Sequence, residues 1–225
     1  MQPFTWRSAA ATSVGNVRAH NEDAVLELPA TGLWVVADGM GGHNAGDVAS
    51  RMIVEALCTV GPPSQLSELL DAVENRLRAV NARLFQYSLE HGGQTTGSTV
   101  AALLAFDAYC VSAWAGDSRI YCLRNHSLTC VTRDHSEDGS SNVITRAVGG
   151  SEDVELDLEL RELADGDRYL LCSDGLYREL GEAELTRHLA HEDLELACRS
   201  LLSQALAGPC KDNVSMVIVE FTKTT

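Results

Sequence analysis

The spacing of hydrophobic and polar residues predicts many short strands and a smaller number of helices. Alternating or wholly apolar runs bounded by turn residues are typical of strands. They occur at residues 5–12, 24–28, 33–37, 98–106, 109–115, 119–123, 127–131, 154–160, 168–172 and 214–221. Hydrophobic residues at helical spacing predict a helix over 47–60, a long amphipathic helix from Leu66 to about Gly92, and two helices within 182–206.

The order of these elements indicates the fold class. Short turns such as Asp107-Ala108 join successive strands, and short connections imply antiparallel pairing. Strands and helices occur in groups, which is typical of α+β folds. We therefore predict an α+β sandwich of two mainly antiparallel sheets, flanked on each side by α-helices in a four-layer αββα arrangement. Because no Pro-rich or Gly/Ser-rich linker and no solenoid repeat divides the chain, residues 1–225 should form a single domain.

Composition supports a globular domain and excludes two classes of partner. Hydrophobic residues make up 45% of the 225 residues and charged residues 22%, which leaves enough apolar side chains for a sizeable core. The formal net charge is −15, and Lys and Arg form no block. Such a surface repels phosphate backbones, so nucleic acid and anionic membranes are poor partners.

The cysteines and the N-terminal residues predict a cytoplasmic protein. The seven cysteines are odd in number and lack paired CxxC spacing, so we interpret them as reduced core residues. Residues 1–11 lack a basic start followed by an apolar stretch, and no run approaches the roughly 18 apolar residues of a membrane span. A monomer is the default expectation.

Acidic residues recur at the ends of apolar strands. Asp38-Gly39 and Asp174-Gly175 each follow a buried strand, Gly116-Asp117 follows another, and Asp212-Asn213 stands directly before the last strand. Any single pair could be an ordinary Asp-Gly turn, as we interpret Asp165-Gly166. Several carboxylates beside apolar strands are costly unless they are paired or bind metal. Together they favour a metal site.

The chemistry of these side chains narrows the choice of ion. Oxygen ligands alone suit hard cations such as Mg²⁺ or Mn²⁺, whereas zinc would require His or Cys. Because Gly39 has no side chain, its backbone carbonyl could approach an ion closely.

A polar segment near the N-terminus, residues 13–23, supplies further candidates. Its Arg18 could bind a phosphoryl group through two parallel hydrogen bonds. Taken alone, the segment could equally be a solvated turn of mixed charge.

These motifs together resemble the type 2C metal-dependent Ser/Thr protein phosphatases, and especially their bacterial branch. The motifs occur in the family's order and cover nearly the whole chain. They are Arg18 with Asn21-Glu22-Asp23, Val36-Ala37-Asp38-Gly39-Met40-Gly41-Gly42-His43, Gly97-Ser98-Thr99, Ala115-Gly116-Asp117-Ser118-Arg119, Asp134-His135-Ser136, Ile144-Thr145-Arg146-Ala147-Val148-Gly149, Ser173-Asp174-Gly175 and Asp212-Asn213.

The resemblance implies a centre of two Mn²⁺ or Mg²⁺ ions with a weaker third position. Asp38 would bridge two ions, the Gly39 carbonyl would bind one of them, and Asp174 with Asp212 would complete the other. Asp117, together with Asp174, would match the third position.

The remaining residues of the resemblance imply how substrate and water are bound. Glu22 and Asp23 would hold metal-bound waters, and Arg18 would bind the substrate phosphate. A water that bridges the ions would lose a proton and attack phosphorus in line with the Ser or Thr oxygen. No phosphoenzyme forms in this scheme, so Cys172 and Ser173 are interpreted as core and turn residues.

The general acid is open at this stage. Eukaryotic members of the family place a His directly after the Asp-Gly pair, whereas Met40 stands there in this chain. His43 is the nearest candidate, but it could also be a solvent-facing loop residue. His135 could equally be a structural hydrogen-bonding residue.

Substrate choice is also open. Only residues 137–141 separate Ser136 from Asn142, where many bacterial relatives carry a longer segment leading into a flap. The resemblance implies a phosphorylated protein substrate of a Ser/Thr kinase, with type VI secretion control as one possible pathway. The alternatives are a pseudophosphatase that binds phosphoproteins without turnover, a phosphatase for small metabolites, and a structural domain with coincidental Asp-Gly turns.

Overall fold

Two mainly antiparallel sheets run through the chain. The structure is a computed structural model that describes residues 3–41, 45–91, 95–137 and 143–224. The strands are β1 (Phe4–Ser13), β2 (Asp23–Leu28), β3 (Leu33–Met40), β4 (Gly97–Ser98), β5 (Val100–Phe106), β6 (Tyr109–Ala115), β7 (Arg119–Arg124), β8 (Ser127–Cys130), β9 (Asp157–Glu162), β10 (Arg168–Cys172) and β11 (Val214–Lys223). The helices are α1 (Ala45–Leu57), α2 (Leu66–Glu90), α3 (Asp174–Tyr177), α4 (Glu182–Leu189) and α5 (Leu194–Leu206).

The strand order places the two chain ends side by side. The first sheet has the order β1-β11-β10-β7-β8, and the second has the order β2-β3-β5-β6-β9 with β4 beside β3. All of the strand pairs are antiparallel. β1 pairs with β11 over ten residues, from Phe4 opposite Lys223 to Ser13 opposite Val214. The predicted antiparallel pairing is confirmed.

Three apolar layers hold the sheets and helices together. Between the sheets, Trp34 and Tyr169 each meet Phe221 edge to face, with ring centroids 6.0 Å and 5.8 Å apart. α1 and α2 cover the outer face of the second sheet with residues such as Ile53 and Leu77. α4 and α5 cover the first sheet in the same way. The predicted four-layer α+β sandwich is confirmed.

Several element boundaries differ from the prediction. β3 continues to Met40, because Gly39 and Met40 pair with β4 beyond the predicted end of the strand. β9 begins later than predicted, since Val154 and Leu156 pack against the α1–α2 core while strand pairing starts at Asp157. Helix α3 was not predicted; it is a single turn at the end of β10.

The cysteines and helices agree in part with the sequence interpretation. All seven cysteines are free, but Cys58 and Cys130 are exposed and are not core residues as predicted. Within the described ranges, every helix is too short or too polar to cross a membrane.

Candidate metal centre

The predicted acidic residues are carried by neighbouring strand ends of both sheets. In the second sheet, Asp23 at the start of β2 lies directly opposite Asp38 in β3. In the first sheet, Asp174 follows β10 and Asp212 precedes β11, and these two strands are neighbours. Because antiparallel neighbours bring the end of one strand beside the start of the next, both acidic pairs follow directly from the sheet order.

One buried hydroxyl group joins the two sheets at this edge, and a second one holds Asp38 within its own sheet. The Ser173 hydroxyl donates to Asp23 Oδ2 at 2.8 Å and accepts the Ser215 backbone N–H at 3.0 Å. In the second sheet, Thr99 Oγ1 accepts the Asp38 backbone N–H at 3.1 Å, and the Thr99 N–H donates to the Asp38 carbonyl at 2.8 Å. Ser173, which we interpreted as a simple turn residue, therefore fixes the orientation of a predicted site carboxylate.

Asn213 holds the polar N-terminal segment against the site. Its side-chain oxygen accepts the Glu22 backbone N–H at 2.9 Å, and its Nδ2 donates to the carbonyls of Val14 and His20, both at 3.0 Å. Sequence reasoning gave Asn213 no role beyond its place in the motif. The only sequence feature that pointed to a role for Asn213 was its position next to Asp212.

Gly39 is required by close packing of the backbone. A Cβ at this position would lie 2.0 Å from the Gly46 carbonyl oxygen and 2.6 Å from the Glu22 carbonyl oxygen. The Gly39 N–H donates to that same Glu22 carbonyl at 3.0 Å. The glycine thus lets the start of α1 and the Glu22 loop approach the end of β3, which is a structural reason beyond the predicted carbonyl ligand.

Burial and mutual repulsion raise the pKa values of the acidic side chains. Burial, followed by repulsion from Asp23 and Asp174, raises the pKa of Asp38 well above its ordinary value. Burial raises the pKa of Asp174 to about 7 and that of Asp23 to about 6. Burial also raises the pKa of Glu22. These groups lie close enough to repel one another, which is a charge arrangement that divalent cations would relieve.

Two arginines contact the acidic cluster. Arg18 Nη2 lies 2.7 Å from Asp212 Oδ2, and this hydrogen bond is the main reason that the pKa of Arg18 is raised. Arg178 Nη2 lies 3.1 Å from Asp174 Oδ2. The fold therefore brings two guanidinium groups against carboxylates for which the sequence pattern indicated no basic partner.

The carboxylate oxygens suit hard divalent cations, although the described side chains do not yet form a coordination site. Asp23 Oδ1 and Asp117 Oδ1 are buried, and neither has a hydrogen-bond partner among the described residues. Across those same residues, no three Asp, Glu, His or Cys side chains form a ready-made ion site. An ion at this edge would therefore draw the carboxylates closer together and compete with Arg18 for Asp212.

Of the two candidate general acids, His43 and His135, the structure describes only His135. His43 lies outside the described residues. His135 accepts the Gly116 N–H at Nδ1 at 3.1 Å, and its Nε2 lies 3.2 Å from Asp157 Oδ2. Its ring stacks on Trp114. These contacts support the structural interpretation of His135, which holds the turn that carries Asp117.

Backbone contacts pair the residues that flank the short segment after Ser136. Ser136 forms a β-bridge with Ile144, and the Glu137 N–H donates to the Val143 carbonyl at 3.1 Å. The Thr145 N–H in turn donates to the His135 carbonyl at 2.8 Å. Of the short segment 137–141 between Ser136 and Asn142, residues 138–141 lie outside the described residues, as does Asn142.

We expect Ser173→Ala to weaken Mn²⁺ binding by roughly 10- to 100-fold, because Asp23 loses the donor that orients it. Isothermal titration with Mn²⁺ measures the change. Ser203→Ala on the exposed face of α5 is the matched control and should bind as the unmodified protein does. Unchanged affinity in Ser173→Ala would contradict a supporting role for this hydroxyl.

Comparison with known proteins identifies the family. Residues 12–207 match the family model described as protein phosphatase 2C. The Ser/Thr protein phosphatase PstP of Mycobacterium tuberculosis is 34% identical over 95% of this chain. The match covers 45% of PstP, so the chain spans less than half the length of that relative.

Solved structures agree with the sequence match. PppA, a key regulatory component of the type VI secretion system in Pseudomonas aeruginosa, is 41% identical with a TM-score of 0.93, and the match covers 96% of this chain and 97% of that one. The catalytic domain of PstP, solved with two manganese ions, is 33% identical with a TM-score of 0.88, covering 98% of this chain and 100% of that one. The chain belongs to the protein phosphatase 2C family.

Proposed function

We propose that this chain is a metal-dependent hydrolase that removes phosphate from phosphoserine and phosphothreonine in proteins. The observation that carries the proposal is the cluster of carboxylates at neighbouring strand ends, in which Asp23 lies opposite Asp38 and accepts a hydrogen bond from Ser173, the residue before Asp174. Burial and mutual repulsion raise the pKa values of these three acids. Bound divalent cations would neutralise the repulsion between these buried carboxylates. Family membership and the two manganese ions in the PstP catalytic domain support the same assignment.

In the proposed site, the acidic residues hold two Mn²⁺ or Mg²⁺ ions. Asp38 would bind both ions, with the Gly39 carbonyl on one side and Asp174 and Asp212 on the other. Glu22 and Asp23 would act through water, consistent with the hydrogen bond that fixes Asp23 to Ser173. Divalent ions bound there would acidify a water molecule for use as the nucleophile and would offset charge on the phosphoryl oxygens.

Arg18 is the proposed phosphate-binding residue. Its guanidinium is half-exposed and lies against Asp212, so it can turn from that carboxylate toward an incoming phosphoryl group. A guanidinium suits this role because two of its N–H groups can bind two phosphoryl oxygens at once. The hydrogen bond to Asp212 keeps Arg18 at the edge where the ions would bind, and an ion that takes Asp212 as a ligand would free Arg18 for the substrate phosphate.

The proposed biological role is reversal of Ser/Thr kinase signalling in a bacterium. The similarity to PppA, which regulates type VI secretion in Pseudomonas aeruginosa, supports type VI secretion as the pathway. The substrate is then a phosphorylated protein rather than a nucleic acid or a membrane component, and the protein acts in the cytoplasm.

Purified protein should hydrolyse a phosphothreonine peptide and an aryl phosphate when Mn²⁺ is present, and EDTA should abolish both reactions. Release of inorganic phosphate measures the rates. No turnover at saturating Mn²⁺ would contradict the enzyme assignment, and retained phosphopeptide binding would then favour a pseudophosphatase. Turnover of small phosphates without turnover of peptides would instead favour a metabolite phosphatase.

A further inference from the structure

Arg178 contacts both carboxylates that the family resemblance assigns to a third metal ion. Its Nη2 lies 3.1 Å from Asp174 Oδ2 and 3.4 Å from Asp117 Oδ2. The side chains of Asp174 and Asp117 are only 13% and 4% exposed, whereas that of Arg178 is 40% exposed. The guanidinium of Arg178 therefore extends from the surface to both buried carboxylates.

The backbone fixes Arg178 in this position. The Arg178 N–H donates to the Asp174 carbonyl at 3.0 Å, so the turn of α3 places both side chains on the same face. The neighbouring Tyr177 hydroxyl donates to the Asp117 carbonyl at 3.0 Å. The Arg119 guanidinium lies 3.8 Å from the centre of the Tyr177 ring. These contacts tie α3 to the turn that carries Asp117.

A guanidinium and a divalent ion cannot share this space. Mg²⁺ binds oxygen at about 2.0–2.1 Å and needs near-octahedral coordination, so an ion would need the oxygens that Arg178 now contacts. The guanidinium of Arg is protonated at any pH that the protein meets, so it repels a divalent ion permanently. Asp117 Oδ1, which has no hydrogen-bond partner among the described residues, is a single oxygen and does not make a site by itself.

We propose that Arg178 takes the place of the third metal ion, so that the chain binds two ions and carries a fixed positive charge beside Asp117. The inference rests on the proposed two-ion centre and concerns its stoichiometry. In this arrangement Asp117 positions Arg178 and is not a metal ligand. The positive charge that a third ion would supply is present at every metal concentration.

Counting bound Mn²⁺ tests the proposal without requiring activity. Equilibrium dialysis of the full chain against Mn²⁺, followed by elemental analysis, gives the number of ions per chain. The unmodified protein should bind two. Arg178→Asp removes the cation and adds a carboxylate, so it should bind a third ion, and adding Asp117→Asn to this variant should remove that ion again. Arg178→Lys keeps the charge and should bind two.

Arg78→Asp is the matched control, because Arg78 forms an ion pair with Glu74 in the same i,i+4 arrangement on the exposed face of α2. It should bind two ions. Three ions in the unmodified protein would overturn the role of Arg178 and leave the two-ion centre intact, as would only two ions in a folded Arg178→Asp variant. If that variant does not fold, a third ion bound by Arg178→Lys overturns the proposal. No bound ion in the unmodified protein would overturn the metal centre itself.

Discussion

Asp38→Asn should abolish Mn²⁺-dependent phosphate release, with a loss of at least roughly 100-fold. Asp38 is the proposed bridge between two ions, and the electrostatic stabilisation that such ions provide is worth several kcal/mol, where each 1.36 kcal/mol is tenfold in rate. Phosphate release from a phosphothreonine peptide at saturating Mn²⁺ measures the loss. Asp165→Asn is the matched control because Asp165 also precedes a glycine but lies in an exposed turn, and it should keep full activity.

The same substitution should stabilise the metal-free protein. Burial and repulsion from Asp23 and Asp174 raise the pKa of Asp38, so its charge is unfavourable in the fold. An uncharged Asn of similar shape relieves this repulsion. Thermal unfolding in EDTA should therefore show a higher midpoint for Asp38→Asn than for the unmodified protein. Retained activity together with an unchanged midpoint would exclude Asp38 from the charged cluster.

Mn²⁺ should stabilise the protein much more at pH 8 than at pH 5. In the metal-free fold the pKa of Asp174 is raised to about 7 and that of Asp23 to about 6, both mainly by burial. Below these values protons occupy the carboxylates and compete with the ion. At a 100-fold excess over its Kd, Mn²⁺ should raise the unfolding midpoint by roughly 5–10 °C at pH 8.

Without Mn²⁺, the raised pKa values of the acidic cluster should make the fold less stable as the pH rises. A raised pKa means that the fold binds the proton more tightly than the unfolded chain does. The resulting stability is fully present below the ordinary Asp pKa of 3.8 and is lost as the pH rises through about 7. Thermal unfolding with EDTA from pH 5 to pH 8 measures this loss, and Asp174→Asn should reduce it. A Mn²⁺ effect of equal size at both pH values would contradict the charge arrangement.

The fold was largely predictable because the strands have regular patterns. The apolar run before Asp174 predicted β10 at its observed limits, and the run 109–115 predicted β6. Boundaries failed where a distant partner decided them. Pairing with β4 extends β3 past Asp38, and packing against the α1–α2 core delays the start of β9.

The residues that support the candidate site were less predictable than the acidic residues themselves. The Ser173 hydroxyl bonds to a residue 150 positions away, and the Asn213 side chain reaches one 191 positions away. A serine or asparagine beside an Asp does not reveal in sequence which group it will meet. Arg178 stands four residues after Asp174, but nothing in the sequence indicated that it would also contact Asp117.

The sequence by itself determined the strand and helix pattern, the oxygen-only chemistry of Asp38, Asp174 and Asp212, and the family resemblance. Each depends on residue type and local spacing, which the sequence states directly. Only the tertiary structure decided that Asp23 lies opposite Asp38 and that Gly39 permits a close backbone contact with Gly46. It also decided which arginine side chains contact the acidic residues. These depend on strand register and on contacts between distant segments, because the pKa of a carboxylate is set by the groups that folding brings beside it.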